Sequence, residues 1–245
     1  MNEKTKARVE RLKKGGVPNT KLYIPHGDEE IVFAYPSFLG SYQRVGKQIL
    51  EHGLIIPTAE ETVSLLHIAY CSRLKAKSEF ENIRDIMRDY WVAVFNRKLW
   101  MENGVYTIFD PEVKGKGEQL TIDDLEKRLK NGKEIKGIEI RISEDGIVRF
   151  APKGSYKLGD HTSDSLSKDG NVISEYGREG AEKLGEITTQ LGRNPTVWGL
   201  NIKKEEYPEL RFSALGVCES RLDIRGSFTG GGGHLFGILK KVETI

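Results

Sequence analysis

Helical spacing and strand spacing occupy different parts of this chain. Between Tyr42 and about residue 95 the apolar positions recur mostly at intervals of three and four. From Ile138 onward the chain is richer in strand and turn signals, and sixteen of the 27 glycines lie at or beyond Gly146. Such segregation predicts an α+β fold, with several amphipathic helices packed against a mixed or largely antiparallel sheet. One compact domain over 17–245, behind a basic arm at 1–16, fits the pattern, as do two fused lobes joined near 111–136.

The helical part carries its own punctuation. Tyr42, Val45 and Ile49 predict a helix over 42–52, with Gly53 as a left-handed cap. Thr58 and Glu61 have capping-box spacing, and Val63, Leu66 and Tyr70 continue a helix to about Leu74. Ser78 and Glu81 repeat that spacing. The apolar positions from Phe80 to Phe95 then predict one long helix over 79–100, its aromatic stripe serving as core. Tyr176, Leu184, Ile187 and Leu191 predict a later helix that ends at Gly192.

Strand signals frame these helices. Residues 22–24 and 31–35 read as strand, turn, strand, with Pro36 ending the second run. Val105–Phe109 reads as a strand. Ile138, Ile140 and Ile142, the Asp145–Gly146 turn and Ile147–Phe150 form a hairpin pattern. Residues 152–174 read as a long polar loop. Thr196–Ile202, Leu210–Cys218, Ser220–Arg225 and Leu235–Lys241 read as extended.

Charge narrows the function classes. The 38 basic and 36 acidic residues leave a net +2, which disfavours a dedicated nucleic-acid binder. Only the N-terminal arm is polarised: Lys4, Lys6, Arg8, Arg11, Lys13 and Lys14 face Glu3 and Glu10. It reads as a frayed, helical, solvated arm. Two cysteines, Cys71 and Cys218, do not make a secreted disulfide scaffold. With no signal-peptide pattern and no long apolar run, the expectation is a cytoplasmic chain with no membrane partner.

Chemistry is suggested at a few points. Gly230, Gly231, Gly232 and Gly233 form a run able to present backbone amides to an anion, with His234 beside it and Arg221 and Arg225 upstream. The run lacks the Lys–Ser/Thr ending of a P-loop. His161 with Asp160 or Asp164 could supply acid–base chemistry, and Asx and Ser/Thr turns use the same residues. Arg211 would join Arg221 and Arg225 on one face only if no register change intervenes. His67 and Cys71, four apart, could face one way, and zinc would need further ligands such as Cys218; they read as buried structural residues, and no metal site is assigned. No cofactor is specified. His26 to Glu30 reads as a charged turn.

The leading expectation is binding of a phosphorylated or carboxylated small ligand by the late glycine loop and its arginines. Hydrolysis or transfer would use His161, Asp164 or His234. The alternative is a noncatalytic protein-interaction or homo-oligomeric assembly module, with nucleic-acid binding through the arm ranked third.

Overall fold

A computed structural model describes residues 6–11, 19–117, 120–135, 137–203, 206 and 208–243. The fold is α+β. In chain order the elements are β1 (Arg8–Arg11), β2 (Thr20–His26), β3 (Glu29–Gly40), α1 (Tyr42–Glu51), α2 (Ala59–Cys71), α3 (Ser78–Asp89), β4 (Val92–Met101) and β5 (Gly104–Phe109). They continue with α4 (Ile122–Leu129), β6 (Lys133–Ile135), β7 (Ile140–Ile142), β8 (Val148–Pro152), β9 (Gly159–Asp160), α5 (Ser163–Ser167), α6 (Gly170–Leu191), β10 (Thr196–Trp198), β11 (Glu209–Cys218), β12 (Arg221–Phe228) and β13 (Gly233–Glu243).

The strands form one mixed sheet in the order β1-β2-β3-β13-β4-β11-β12-β10-β9, with β5, β8, β7 and β6 branching from β4. Most pairs are antiparallel; β12 with β10 and β13 with β4 are parallel. The β13–β4 contact is a single residue pair, His234 with Val92. Two ribbons therefore meet at one point. The wedge between them is filled by side chains, among them Tyr42, Phe95, Phe212 and Leu235.

One sheet face carries the main core, built from α2, α3, α5 and α6. The capping box of α2 forms as its spacing predicts: Glu61 N–H donates to Thr58 Oγ1, and Thr58 N–H to the Glu61 carboxylate. Helix α6 is bent at Gly177, where φ is 71°. A buried ion pair ties it to the sheet. Lys98 Nζ on β4 donates to Glu175 Oε2 at 2.7 Å and to Asn171 Oδ1, with both charged side chains 0–1% exposed. On the other face α1 packs on β3, β13 and β4, and α4 packs on β8.

Several expectations are corrected. The helix over 79–100 stops at Asp89, and Val92–Met101 is a strand. Val92 and Val94 enter one core cluster while Ala93 and Phe95 enter another. A strand buried on both faces reads as a continuous apolar run, so spacing alone could not separate it from a helix. Helix α3 also starts without a side-chain cap from Ser78; Lys77 holds the cap position.

Pro36 does not end β3. It falls where the ladder to β13 slips, between Ala34–Gly237 and Phe38–Leu235, so its missing N–H costs no regular bond. The loop expected over 152–174 contains β9, α5 and the start of α6, each helix begun by a Thr or Asp cap that the polar composition concealed. In the basic arm, Arg8–Arg11 is a strand paired to β2 rather than a helix. Arg8 pairs with Glu30 and Arg11 with Glu79, which exchanges a solvated helix for two interelement ion pairs. Lys4, Lys13 and Lys14 lie outside the described residues.

Candidate functional site

The β11–β12–β10 part of the sheet is helix-backed on one side. The helices that pack on β11 and β12, α3 and α6, bury Leu215, Val217, Leu222 and Ile224. Alternation puts Ala214, Gly216 and Cys218 of β11 on the opposite face, together with Arg221, Asp223 and Arg225 of β12. Cross-strand register sets Gly216 opposite Asp223 and Ala214 opposite Arg225, and the parallel pair brings Trp198 beside Arg225.

Trp91, just before β4, leans across this face. It lies flat enough on β11 that a Cβ on Gly216 would stand 2.7 Å from its ring, so only glycine fits there. The Arg225 guanidinium carbon sits 4.3 Å from the Trp91 ring centre and 5.5 Å from that of Trp198. Phe228 extends the aromatic surface, 6.5 Å from Trp91. Stacking on indole suits the planar guanidinium and leaves its N–H edge clear of the ring face. Among the described residues Arg225 has no acidic partner, and its Nε is buried without a hydrogen bond. Arg221, by contrast, donates to Asp223 at 3.1 Å.

The glycine run borders the same surface. Gly230 has φ of 81°, packs on the Phe212 ring, and its carbonyl accepts from Tyr42 N–H at 3.2 Å. A side chain is excluded there by both backbone and space. Gly231 and Gly232 form an exposed tip, and His234 N–H donates to the Trp91 carbonyl at 2.7 Å. Between the tip and β11 runs a groove of about 530 Å³ lined by Leu39, Tyr90, Trp91, Gly216, Cys218 and Gly232. Its rim mixes exposed Leu39 (57%) and Tyr90 (54%) with the charged Arg88, Asp89 and Glu219, and Trp198 on the neighbouring strand β10 is 41% exposed.

The His234 ring lies beside this groove, edge-on to Tyr90 at 5.1 Å, with Nδ1 2.9 Å from Ser37 Oγ. Burial pushes its pKa below the usual 6.5, so it is a neutral ring at neutral pH. Its Nε2 is buried without a partner among the described residues.

The structure thus brings Gly230–Gly233, His234 and Arg225 around Trp91, with Arg221 on the same face. It does not bring His161 or Asp164 there. His161 follows β9, five strand intervals from β13 and two from β12. It is buried, with Nε2 2.9 Å from the Lys157 carbonyl and Nδ1 3.3 Å from Ser165 Oγ. Asp164, two residues past the Thr162 cap of α5, is exposed and pairs with Lys168 at 2.7 Å. Asp160 accepts from Thr196 Oγ1 at 2.7 Å. Arg211 is separated from Arg225 by a ladder shift between Phe212 and Ala214, and stands opposite Lys98.

Trp198 and Gly216 escaped the sequence reading, and Tyr90 and Trp91 were assigned by it to a helical core stripe. The one available signal was period two through Trp91, Ala93 and Phe95, which helical spacing masked. A larger groove, about 640 Å³, lies between β5, the following connector and α4. Among its charged side chains, Arg97 lies 3.6 Å from Asp110 and Lys114 3.1 Å from Glu112.

No protein-family model matches the chain, and no curated protein matches it. The chain is similar to a solved structure described as accommodation of massive sequence variation in Nanoarchaeota by the C-type lectin fold. The identity is 12% and the TM-score 0.48, covering 83% of this chain and 97% of that one. At that distance the likeness carries no functional argument. Among the described residues no helix is long and apolar enough to cross a membrane.

Proposed function

We propose that this chain binds an anionic small ligand, phosphorylated or carboxylated, on the open face around Arg225. The observation that carries the reading is the guanidinium stacked against Trp91 and Trp198 with no carboxylate partner among the described residues. A stacked arginine is positioned in advance, so little rotamer entropy is lost when an anion takes its edge donors. The exposed indole of Trp198 and the apolar groove beside Trp91 favour a ligand with a flat apolar part next to its anion. The Gly231–Gly232 tip allows the ligand a close approach to backbone.

The reading assigns recognition and no bond-breaking step. His234 is neutral, has Ser37 rather than a carboxylate at Nδ1, and has a covered Nε2. His161 is engaged with backbone and with Ser165 elsewhere in the fold. A second reading, a protein partner at this face, is favoured by the exposed Leu39 and Tyr90 on the groove rim.

Indole fluorescence tests the proposal. Trp91 and Trp198 flank the site, whereas Trp100 is buried with its Nε1 donating to the Gly226 carbonyl at 2.7 Å. Phenyl phosphate and benzoate supply ring and anion together; inorganic phosphate and phenol supply one feature each. Saturable quenching by the first pair, weaker with the controls and lost in Arg225→Gln, is expected. An unchanged affinity in folded Arg225→Gln removes the assignment. Absence of quenching by any probe, with a protein captured through a cross-linker placed at Cys218, would favour the second reading.

A further inference from the structure

On the helical side of the molecule, away from the open face, three side chains of differing chemistry converge. His67 and Cys71 lie one turn apart on α2, and Glu186 reaches them from α6. One imidazole nitrogen, the thiol sulfur and one carboxylate oxygen all lie within 4.8 Å of one another. His67 Nε2 is 2.6 Å from Glu186 Oε2. We propose that His67, Cys71 and Glu186 form a binding site for a thiophilic divalent metal ion, zinc in class, which clips α2 to α6.

The geometry is close to what such an ion needs. Ligand bonds of about 2.0–2.3 Å at tetrahedral angles place donor atoms roughly 3.4–3.6 Å apart. The three donors reach that arrangement by movements of about 1 Å. The movement falls on the freest member, because the Glu186 side chain is 64% exposed and its backbone is fixed in a helix. The i, i+4 spacing holds His67 and Cys71 over one turn of α2 without help from a loop.

Donor chemistry selects the class of ion. Thiolate and imidazole favour zinc, cobalt and similar ions over magnesium or calcium, which prefer an all-oxygen shell. Three protein ligands leave a fourth, solvent-facing position, since Glu186 is exposed and His67 is partly so.

The cysteine named by the sequence as a further ligand is elsewhere. Cys218 is exposed at the end of β11, opposite Arg221. The third ligand is Glu186, at 119 residues' separation from His67, which no local spacing could have indicated.

The experiment is a Co(II) titration of the reduced full chain, read by absorption. Expected is saturation at one equivalent, with a thiolate-to-cobalt charge-transfer band in the near ultraviolet and displacement by Zn(II). Cys71→Ser should lose the band and Cys218→Ser should keep it. Glu186→Gln, altered at an exposed position, should fold normally and weaken binding by about tenfold or more. It serves as the deciding variant if Cys71→Ser does not fold. The proposal is overturned if wild-type protein in excess Co(II) shows no thiolate band. It is equally overturned if the band survives Cys71→Ser and vanishes in Cys218→Ser, or if Glu186→Gln binds as tightly as wild type. In those cases the His67–Glu186 contact is an ion pair only.

Discussion

Replacing Lys98 by methionine tests how the helical layer is fixed to the sheet. The ammonium donates to Glu175 Oε2 at 2.7 Å and to Asn171, and the two charged side chains are 0% and 1% exposed. Glu175 Oε1 already lacks a partner among the described residues. Methionine fills nearly the same volume, so little cavity cost enters. What remains is a carboxylate left in an apolar interior, which costs about 3–5 kcal/mol when one member of a buried pair is removed. Against a total stability of about 5–15 kcal/mol, that is a large share. The double variant Lys98→Met, Glu175→Leu removes both charges and should recover most of the loss, because the desolvation of two ions disappears with their attraction. Urea unfolding at neutral pH, with unchanged slope, gives all three stabilities. The argument fails if Lys98→Met lies within about 1 kcal/mol of wild type, or if the double variant is less stable than the single one.

Three further outcomes are expected. Gly216→Val puts carbon 2.7 Å from the Trp91 ring, so the indole must leave its place against Arg225; a stability cost of about 1–3 kcal/mol and loss of phenyl phosphate quenching should appear together in unfolding and fluorescence titrations. Thr58→Ala breaks the capping box of α2 and should cost about 1 kcal/mol, measured by urea unfolding. The Arg141 hydrogen bonds hold the Glu126 carboxyl below its usual 4.5, so this pair contributes above that pH and is lost as pH falls through the lower, folded value. Both partners are more than a third exposed, and solvent screening limits the contribution to about 0.5–1 kcal/mol. Glu126→Gln should therefore differ from wild type by that amount at pH 7 and converge with it as pH falls through the lowered, folded value, followed by thermal unfolding across pH.

What the sequence made legible was local. The α2 capping box, the Ile140–Ile142 and Val148–Pro152 hairpin pair and the late strands follow from neighbours within a few residues. The segment from Trp91 to Met101 was misread because both faces of β4 are buried, which erases alternation. The open site was half legible. Glycine run, His234 and Arg225 stood out by type, but the partners that give Arg225 its surroundings are 134 and 27 residues away, at Trp91 and Trp198. Only the sheet order joins them. His161 and Asp164 stood out equally, and there local capping and pairing absorbed the polar groups.

The two ribbons of the sheet are sewn by one stitch. Where β13 meets β4, the His234 amide donates to the Trp91 carbonyl, and side-chain packing does the rest. The residue that supplies the acceptor is the one whose ring forms the floor beneath Arg225. Anything that pins that ring also tightens the seam from which the whole sheet would part. The exchange rate of a single amide proton, that of His234, thereby becomes a gauge of occupancy at Arg225.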